Sequence, residues 1–227
     1  MDVVKTYPSL EGGRKLPLVE SFYTIQGEGF HTGKPAFFIR LGGCDVGCRW
    51  CDSKESWNPD RFPPVEIETI VRDAAATPAK AIVITGGEPM NYPLDPLCNL
   101  LKEYGLDIFL ETSGSSPMSG NFDWICLSPK RNKPPLEEFY GIADELKVII
   151  ETPSDFEWAE ENRRKVLEHQ AKRYRESLPA EVRGRCLFFL QPEWSRMKNV
   201  SPAIIEYVKQ HPEWNISIQA HKFLEIP

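Results

Sequence analysis

Short apolar runs recur along the chain, and many are separated by stretches in which apolar positions return every three or four residues. Val19–Ile25, Ala36–Leu41, Lys80–Thr85, Asp107–Thr112, Asp123–Leu127, Glu145–Ile150, Arg185–Gln191 and Asn215–Gln219 are rich in β-branched and aromatic residues and predict strands. Helical spacing predicts helices over Val65–Ala76, Pro93–Tyr104, Phe156–Leu178 and Pro202–Lys209. Apolar strands alternating with helices point to parallel β/α units with the sheet buried on both faces. Ser113–Phe122 and Ser128–Ile142 carry no helical pattern and read as loops, so the barrel is expected to be abbreviated. The charged stretch Pro153–Arg185 reads as an inserted helical hairpin, broken near Pro179. The expected architecture is α/β: one domain over residues 1–227, built as an open, partial β/α barrel with a helical insertion.

Composition narrows the class without naming a function. A chain of 227 residues with 41% hydrophobic and 26% charged residues is that of an ordinary globular domain with a full core. No apolar run reaches the ~18–20 residues needed to span a bilayer, and the N-terminus lacks a basic-then-apolar signal segment. A cytoplasmic protein with reduced thiols is expected. The net charge of −6 gives no basic footprint, which argues against a nucleic-acid partner. The one basic cluster, Arg163 through Arg175, is interleaved with Glu168 and other acids and reads as a solvated helix face. Twenty prolines fall mostly in the connections and would stiffen them.

Candidate chemistry concentrates just after the second predicted strand. Cys44, Cys48 and Cys51 form a C-x3-C-x2-C loop, made compact by Gly42, Gly43 and Gly47. A [4Fe–4S] cluster held by protein alone takes four cysteines. Three leave one iron open, as an open position marks a catalytic zinc. Structural zinc sites pair their cysteines differently, with a second pair or histidines further on, so zinc is the weaker alternative. Cys98 and Cys126 sit in apolar runs and read as small buried hydrophobes.

Ligands of β/α folds gather at the C-terminal ends of the strands, and polar motifs follow the apolar runs here repeatedly. Arg40 precedes the cysteine loop, and Thr85-Gly86-Gly87-Glu88-Pro89 follows the third run. Further along come Glu111-Thr112-Ser113-Gly114, Ser128-Pro129-Lys130, Lys147 inside Leu146–Ile150, and Gln191-Pro192. Six such motifs on successive strands would ring one site.

The cysteine spacing, with Trp50 before the last cysteine, and the Gly86-Gly87-Glu88 run resemble the radical SAM superfamily. The run Ser21 to Gly29 leading through Arg40 into Cys51-Asp52-Ser53, with the motifs above and the tail His221-Lys222 to Pro227, resembles the 7-carboxy-7-deazaguanine synthases. The resemblance covers nearly the whole chain, with Pro153–Arg185 least constrained. It implies a radical SAM partial barrel and conversion of 6-carboxy-5,6,7,8-tetrahydropterin into 7-carboxy-7-deazaguanine with loss of ammonia. It also implies that a cluster on Cys44, Cys48 and Cys51 reduces S-adenosylmethionine (SAM), and that the resulting 5′-deoxyadenosyl radical takes hydrogen from C6 of the pterin.

By the same resemblance, SAM contacts Trp50, Cys51, Asp52, Gly87, Glu88, Ser128, Pro129, Lys130, Gln191 and Pro192. Ile25, Gln26, Gly27, Glu28, Arg40, Thr85, His221 and Pro227 would hold the pterin. Gln26 and Glu28 suit the pterin's amide and amine edge, and Arg40 suits a substrate carboxylate. Mg2+ is implied at Ser53, which stands where the family usually has threonine and keeps the hydroxyl. A homodimer and a flavodoxin-type electron donor are further implied. Another radical SAM enzyme, such as an activator of a glycyl-radical enzyme, and a zinc-binding scaffold stay open as alternatives at this point.

Overall fold

The computed structural model describes residues 10–170 and 186–227. Nine strands form one sheet: β1 (Lys15–Ile25), β2 (Pro35–Leu41), β3 (Pro64–Glu66), β4 (Ala81–Gly86), β5 (Asp107–Thr112), β6 (Trp124–Leu127), β7 (Glu145–Ile150), β8 (Leu187–Pro192) and β9 (Trp214–Ile216). Their order is β3-β1-β2-β4-β5-β6-β7-β8-β9. From β2 to β9 every neighbouring pair is parallel. β1 is antiparallel to both β2 and β3, so the parallel β/α units expected from the pattern begin at β2. Residues 26–34 between β1 and β2 are too few for a crossover, so the chain turns back as a hairpin.

The helices are α1 (Ile67–Ala75), α2 (Asp95–Glu103), α3 (Glu137–Ile142), α4 (Ser154–His169), α5 (Met197–Gln210) and α6 (Ala220–Leu224). Two short helices were unexpected. α3 lies in a stretch read as loop, and α6 follows a strand that stops at Ile216 rather than Gln219. Neither is long enough to show a helical period. α5 begins upstream of Pro202, which sits inside it, with Ser201 Oγ donating to Met197 O at 2.6 Å. α4 supplies the first arm of the expected hairpin; the second arm lies outside the described residues. The solvated-face reading holds for α4, where Arg164–Glu168 and Lys165–Glu161 pair one turn apart.

Strand alternation divides the molecule into two interiors. On β7, Leu146, Val148 and Ile150 are buried against the helical layer, in a core shared with Ile70 and Val71 of α1, Leu97 and Leu101 of α2, and Val166 of α4. Glu145, Lys147 and Ile149 alternate with them and face the concave side of the sheet. At the N-terminal end of the strands that concave side is plugged by aromatics. Phe30 stacks on Trp124 with centroids 5.0 Å apart, and His31 stacks on Phe109 at 4.3 Å. Burial pushes His31 down to about 4, so the imidazole is neutral there.

The sheet curls but does not close, since its edge strands do not pair. The gap is bridged by other means. Gly27 O accepts from Ala220 N at 2.8 Å, Gly29 N donates to Ser217 Oγ at 3.0 Å, and Gln219 Nε2 donates to Glu28 at 2.9 Å. This is the open, partial barrel expected from the strand pattern.

Candidate active site

A cavity of about 280 Å³ opens at the C-terminal ends of the strands. It is lined by Cys44, Cys48 and Cys51 and by every other residue expected at the site except Pro129. Strand register places them: Arg40 on β2 lies beside Thr85 on β4, and Ile149 on β7 beside Gln191 on β8. Pro129 lies between Ser128 and Lys130, both of which line the cavity.

The cysteine loop leaves β2 at Leu41 and folds onto the turn after β4. A Cβ on Gly87 would lie 2.3 Å from Gly43 O and 2.9 Å from Cys44 Cβ, so only glycine permits this approach. Glu88 N donates to Gly43 O at 2.8 Å and ties the two segments. Gly47 takes φ +68°, letting the loop bend between its first two cysteines. All three thiols are half-buried, whereas Cys98 and Cys126 are buried as expected. Burial pushes Cys44 up to about 11 and raises Cys48, so both thiols hold their protons until a metal replaces them. Ser53 N donates to Cys51 Sγ at 3.4 Å.

This donor set fits a [4Fe–4S] cluster with one open iron. Among the described residues no three His, Cys, Asp or Glu side chains converge on a single ion. A cubane asks for less, since each thiolate takes a different iron corner.

Glu88 lines the cavity as expected, and its carboxylate accepts from Met90 N at 3.0 Å, Thr112 Oγ1 at 2.5 Å, Ser113 N at 2.8 Å and Ser113 Oγ. Four donors use the lone pairs of both oxygens. Glu88 therefore braces the turn that carries Gly86 and Gly87.

Across the cavity lies a network that sequence reasoning named only in part. Lys147 Nζ bonds Glu28 at 2.6 Å and Glu111 at 2.9 Å. Gln26 Nε2 lies 3.5 Å from Glu111 and its Oε1 accepts from Glu28 N at 3.1 Å. Burial works to raise the pKa of Glu28, but the Lys147 ammonium and Gln219 hold it below the usual carboxylate range. Burial also opposes the Lys147 charge, and the surrounding acids outweigh it, keeping the lysine protonated. Glu111 and Lys147 belong to motifs expected to ring the site but carried no expected role in it, and Gln219 was not expected there. The available signal was a lone lysine at an alternate position of an otherwise apolar strand.

The cluster end has its own cations. Lys130 Nζ lies 5.6 Å from the Trp50 ring centre and donates to Ser128 O and Oγ at 2.5 and 2.6 Å; burial lowers its pKa. Partial desolvation works to raise the pKa of Asp52, whose side chain is still half exposed, but Lys222 at 2.7 Å and Gln219 at 3.3 Å hold it below the usual carboxylate range. Ser53 Oγ lies 3.4 Å from both Arg40 Nη1 and Asp52 Oδ1. His221 packs on Gly27, where a Cβ would meet its Nδ1 at 2.2 Å, and burial lowers its pKa. Gln191 Oε1 accepts from Ser217 Oγ at 2.7 Å. Phe22 and Phe38, stacked at 5.5 Å, add an apolar wall that was not anticipated.

Known proteins resemble this chain in sequence and fold. The chain matches the radical SAM superfamily over residues 38–173. It is 48% identical to the 7-carboxy-7-deazaguanine synthase of Flavobacterium psychrophilum, with 96% of each chain covered. It is 43% identical to the enzyme of the same name from a Synechocystis species, covering 92% of this chain and 93% of that one. The crystal structure of QueE from Escherichia coli superposes with a TM-score of 0.74 at 30% identity, covering 95% of this chain and all of that one. A cysteine loop, a facing acid–amide network and likeness along nearly the full length lead to one conclusion: this chain belongs to the 7-carboxy-7-deazaguanine synthases, a family of radical SAM enzymes.

Proposed function

We propose that the protein converts 6-carboxy-5,6,7,8-tetrahydropterin into 7-carboxy-7-deazaguanine with loss of ammonia, within 7-deazapurine biosynthesis of the queuosine type. The observation that carries this reading is that one cavity is lined both by the three thiols and by Gln26, Glu28 and Arg40. When bound, the cluster and SAM supply the one-electron chemistry that starts the reaction. Cys44, Cys48 and Cys51 hold the cluster, while Trp50, Asp52, Gly87, Ser128, Lys130, Gln191 and Pro192 surround SAM.

The pterin ring would lie between the Phe22–Phe38 wall and the Lys147 network. Gln26 and the ionised Glu28 read its donors and acceptors, with Lys147 and Gln219 fixing the orientation of the Glu28 carboxylate. Arg40 spends its Nε on Glu20 at 2.7 Å and turns Nη1 toward Ser53. Its remaining donors suit the substrate carboxylate. Ile25, Gly27, Thr85, His221 and Pro227 complete the enclosure.

Ser53 and Asp52 offer oxygen ligands for Mg2+, with the remaining positions left to substrate and water. Ser53→Ala is expected to reduce stimulation by Mg2+; an unchanged dependence on the metal would remove Ser53 from the site. A single domain acting as a homodimer in the cytoplasm, reduced by a flavodoxin-type donor, completes the proposal. No helix among the described residues is long and apolar enough to cross a membrane.

The decisive experiment is anaerobic turnover of cluster-loaded protein with SAM, Mg2+, a reductant and the carboxytetrahydropterin, read by mass spectrometry. Release of 7-carboxy-7-deazaguanine is expected. Release of 5′-deoxyadenosine alone would mean that the substrate is another compound.

A further inference from the structure

The loop after β6 sends four consecutive side chains in different directions. Residues 130 to 133 form a turn closed by a bridge between Lys130 and Lys133. Lys130 points into the cavity. Arg131 anchors the turn to α4, donating to Ser154 O at 2.7 Å and lying 5.1 Å from the centre of the Trp158 ring. Asn132 and Lys133 reach across to the cysteine loop. Asn132 Nδ2 donates to Gly47 O at 3.1 Å and lies 3.5 Å from Val46 O. Lys133 Nζ pairs with Asp45 Oδ2 at 2.7 Å, while Asp45 Oδ1 is buried without a partner among the described residues.

The two carbonyls that meet Asn132 belong to successive peptide planes between Cys44 and Cys48. In a trans peptide the N–H points opposite to the C=O. Holding Val46 O on the Asn132 side therefore aims the N–H of Gly47 the other way, and holding Gly47 O does the same for the N–H of Cys48. Of these two, the Gly47 N–H faces the Cys44 thiol and the Cys48 N–H its own; the Val46 N–H also faces Cys44 but belongs to the preceding peptide, which Asn132 does not hold.

We propose that Asn132 is a positioning residue that sets the reduction potential of the cluster, by fixing the peptides whose N–H groups face the sulfurs of Cys44 and Cys48. Hydrogen bonds to sulfur stabilise the more negative, reduced form of an iron–sulfur cluster and raise its potential. Lys133 acts in the same direction by neutralising Asp45, the carboxylate next to a cluster ligand. The inference rests on these three cysteines holding the cluster, and it concerns electron uptake rather than the identity of the substrate.

The test is a redox titration of reconstituted protein followed by electron paramagnetic resonance, with iron and sulfide assayed in parallel. Asn132→Leu keeps the side-chain volume and removes the donor. Its midpoint is expected to be more negative than that of the unaltered protein, with faster loss of iron to a chelator. Asn132→Gln, which retains the donor, is expected to recover part of the shift. Lys133→Met, which leaves Asp45 bare, is expected to move the midpoint in the same direction as Asn132→Leu. A cluster in Asn132→Leu with the unaltered midpoint would overturn the proposal, whether or not the variant loads fully, because Asn132 would then serve folding alone. Failure of the unaltered protein to take up iron and sulfide would strike instead at the cluster assignment, and the proposal would fall with it.

Discussion

Lys147 is 3% exposed and, among the described residues, carries the only positive charge bonded to Glu28 and Glu111. Removing one partner of such an arrangement leaves acids in a poorly solvated place, and the cost exceeds that of an exposed pair. Lys147→Met is expected to destabilise the fold by about 3 kcal/mol and to abolish pterin binding, because Glu28 loses its orientation. Thermal unfolding and equilibrium binding of the pterin check the two effects separately. Below it sits Glu145, also 3% exposed, which accepts from Phe30 N at 3.1 Å and Trp124 Nε1 at 3.3 Å. Burial pushes it up from 4.5 to about 7. The unfolded chain gives up this proton at lower pH than the folded one. The group thus erodes stability as pH rises from about 4.5 to about 7, by roughly 3 kcal/mol in full at ~1.4 kcal/mol per pH unit. Glu145→Gln is expected to raise Tm at pH 8 and leave it nearly unchanged at pH 4.5; equal gains at both would refute the linkage. Most expected site residues were legible because motifs at strand ends name them directly. Lys147, Glu111 and Gln219 were not assigned roles, because their function depends on which face of a strand or turn they occupy and on neighbours far away in the chain.

Elements with a clear period were the legible ones. β5 and β7 lie where the apolar runs place them, and α1 and α2 fall within the predicted helical stretches. β3, α3 and α6 are too short to carry a period, and the antiparallel direction of β1 follows from the length of its connection rather than its composition. Contacts between elements fall on single side chains. Glu160 on α4 accepts from Tyr207 of α5 at 2.9 Å and from the Trp214 indole of β9 at 2.7 Å, tying three elements that are distant in sequence. Trp214 is 1% exposed, so its N–H has no route to water. Glu160→Ala is expected to cost about 2 kcal/mol, or roughly 4–8 °C in Tm, without changing the cluster spectrum. A Tm within 1–2 °C of the unaltered protein would show that Trp214 finds another acceptor.

For the whole molecule, the cavity draws on both halves of the chain. Ile25, Gln26, Gly27, Glu28 and Arg40 line it together with Gln191, Gln219, His221 and Pro227. Deleting Ile226 and Pro227, or fusing a tag after Pro227, is expected to impair turnover while leaving the cluster spectrum intact. A fully active fusion would remove Pro227 from the site. Local pattern carried no hint of this role, because the contribution of the last residues depends on where α6 delivers them. The unclosed sheet has a separate consequence. Strands in the middle of the sheet are paired on both sides, and their amides should exchange with deuterium only when the whole domain unfolds. Along the gap the edges are held by isolated bonds such as Gly27 O to Ala220 N, and such contacts open at far lower free energy. Breathing at that seam widens the mouth of the cavity without disturbing the core. A pterin bound there would touch both edges at once, standing in for the strand pair the barrel lacks, and should slow deuterium uptake at Gly29 and Ala220 far more than at β5.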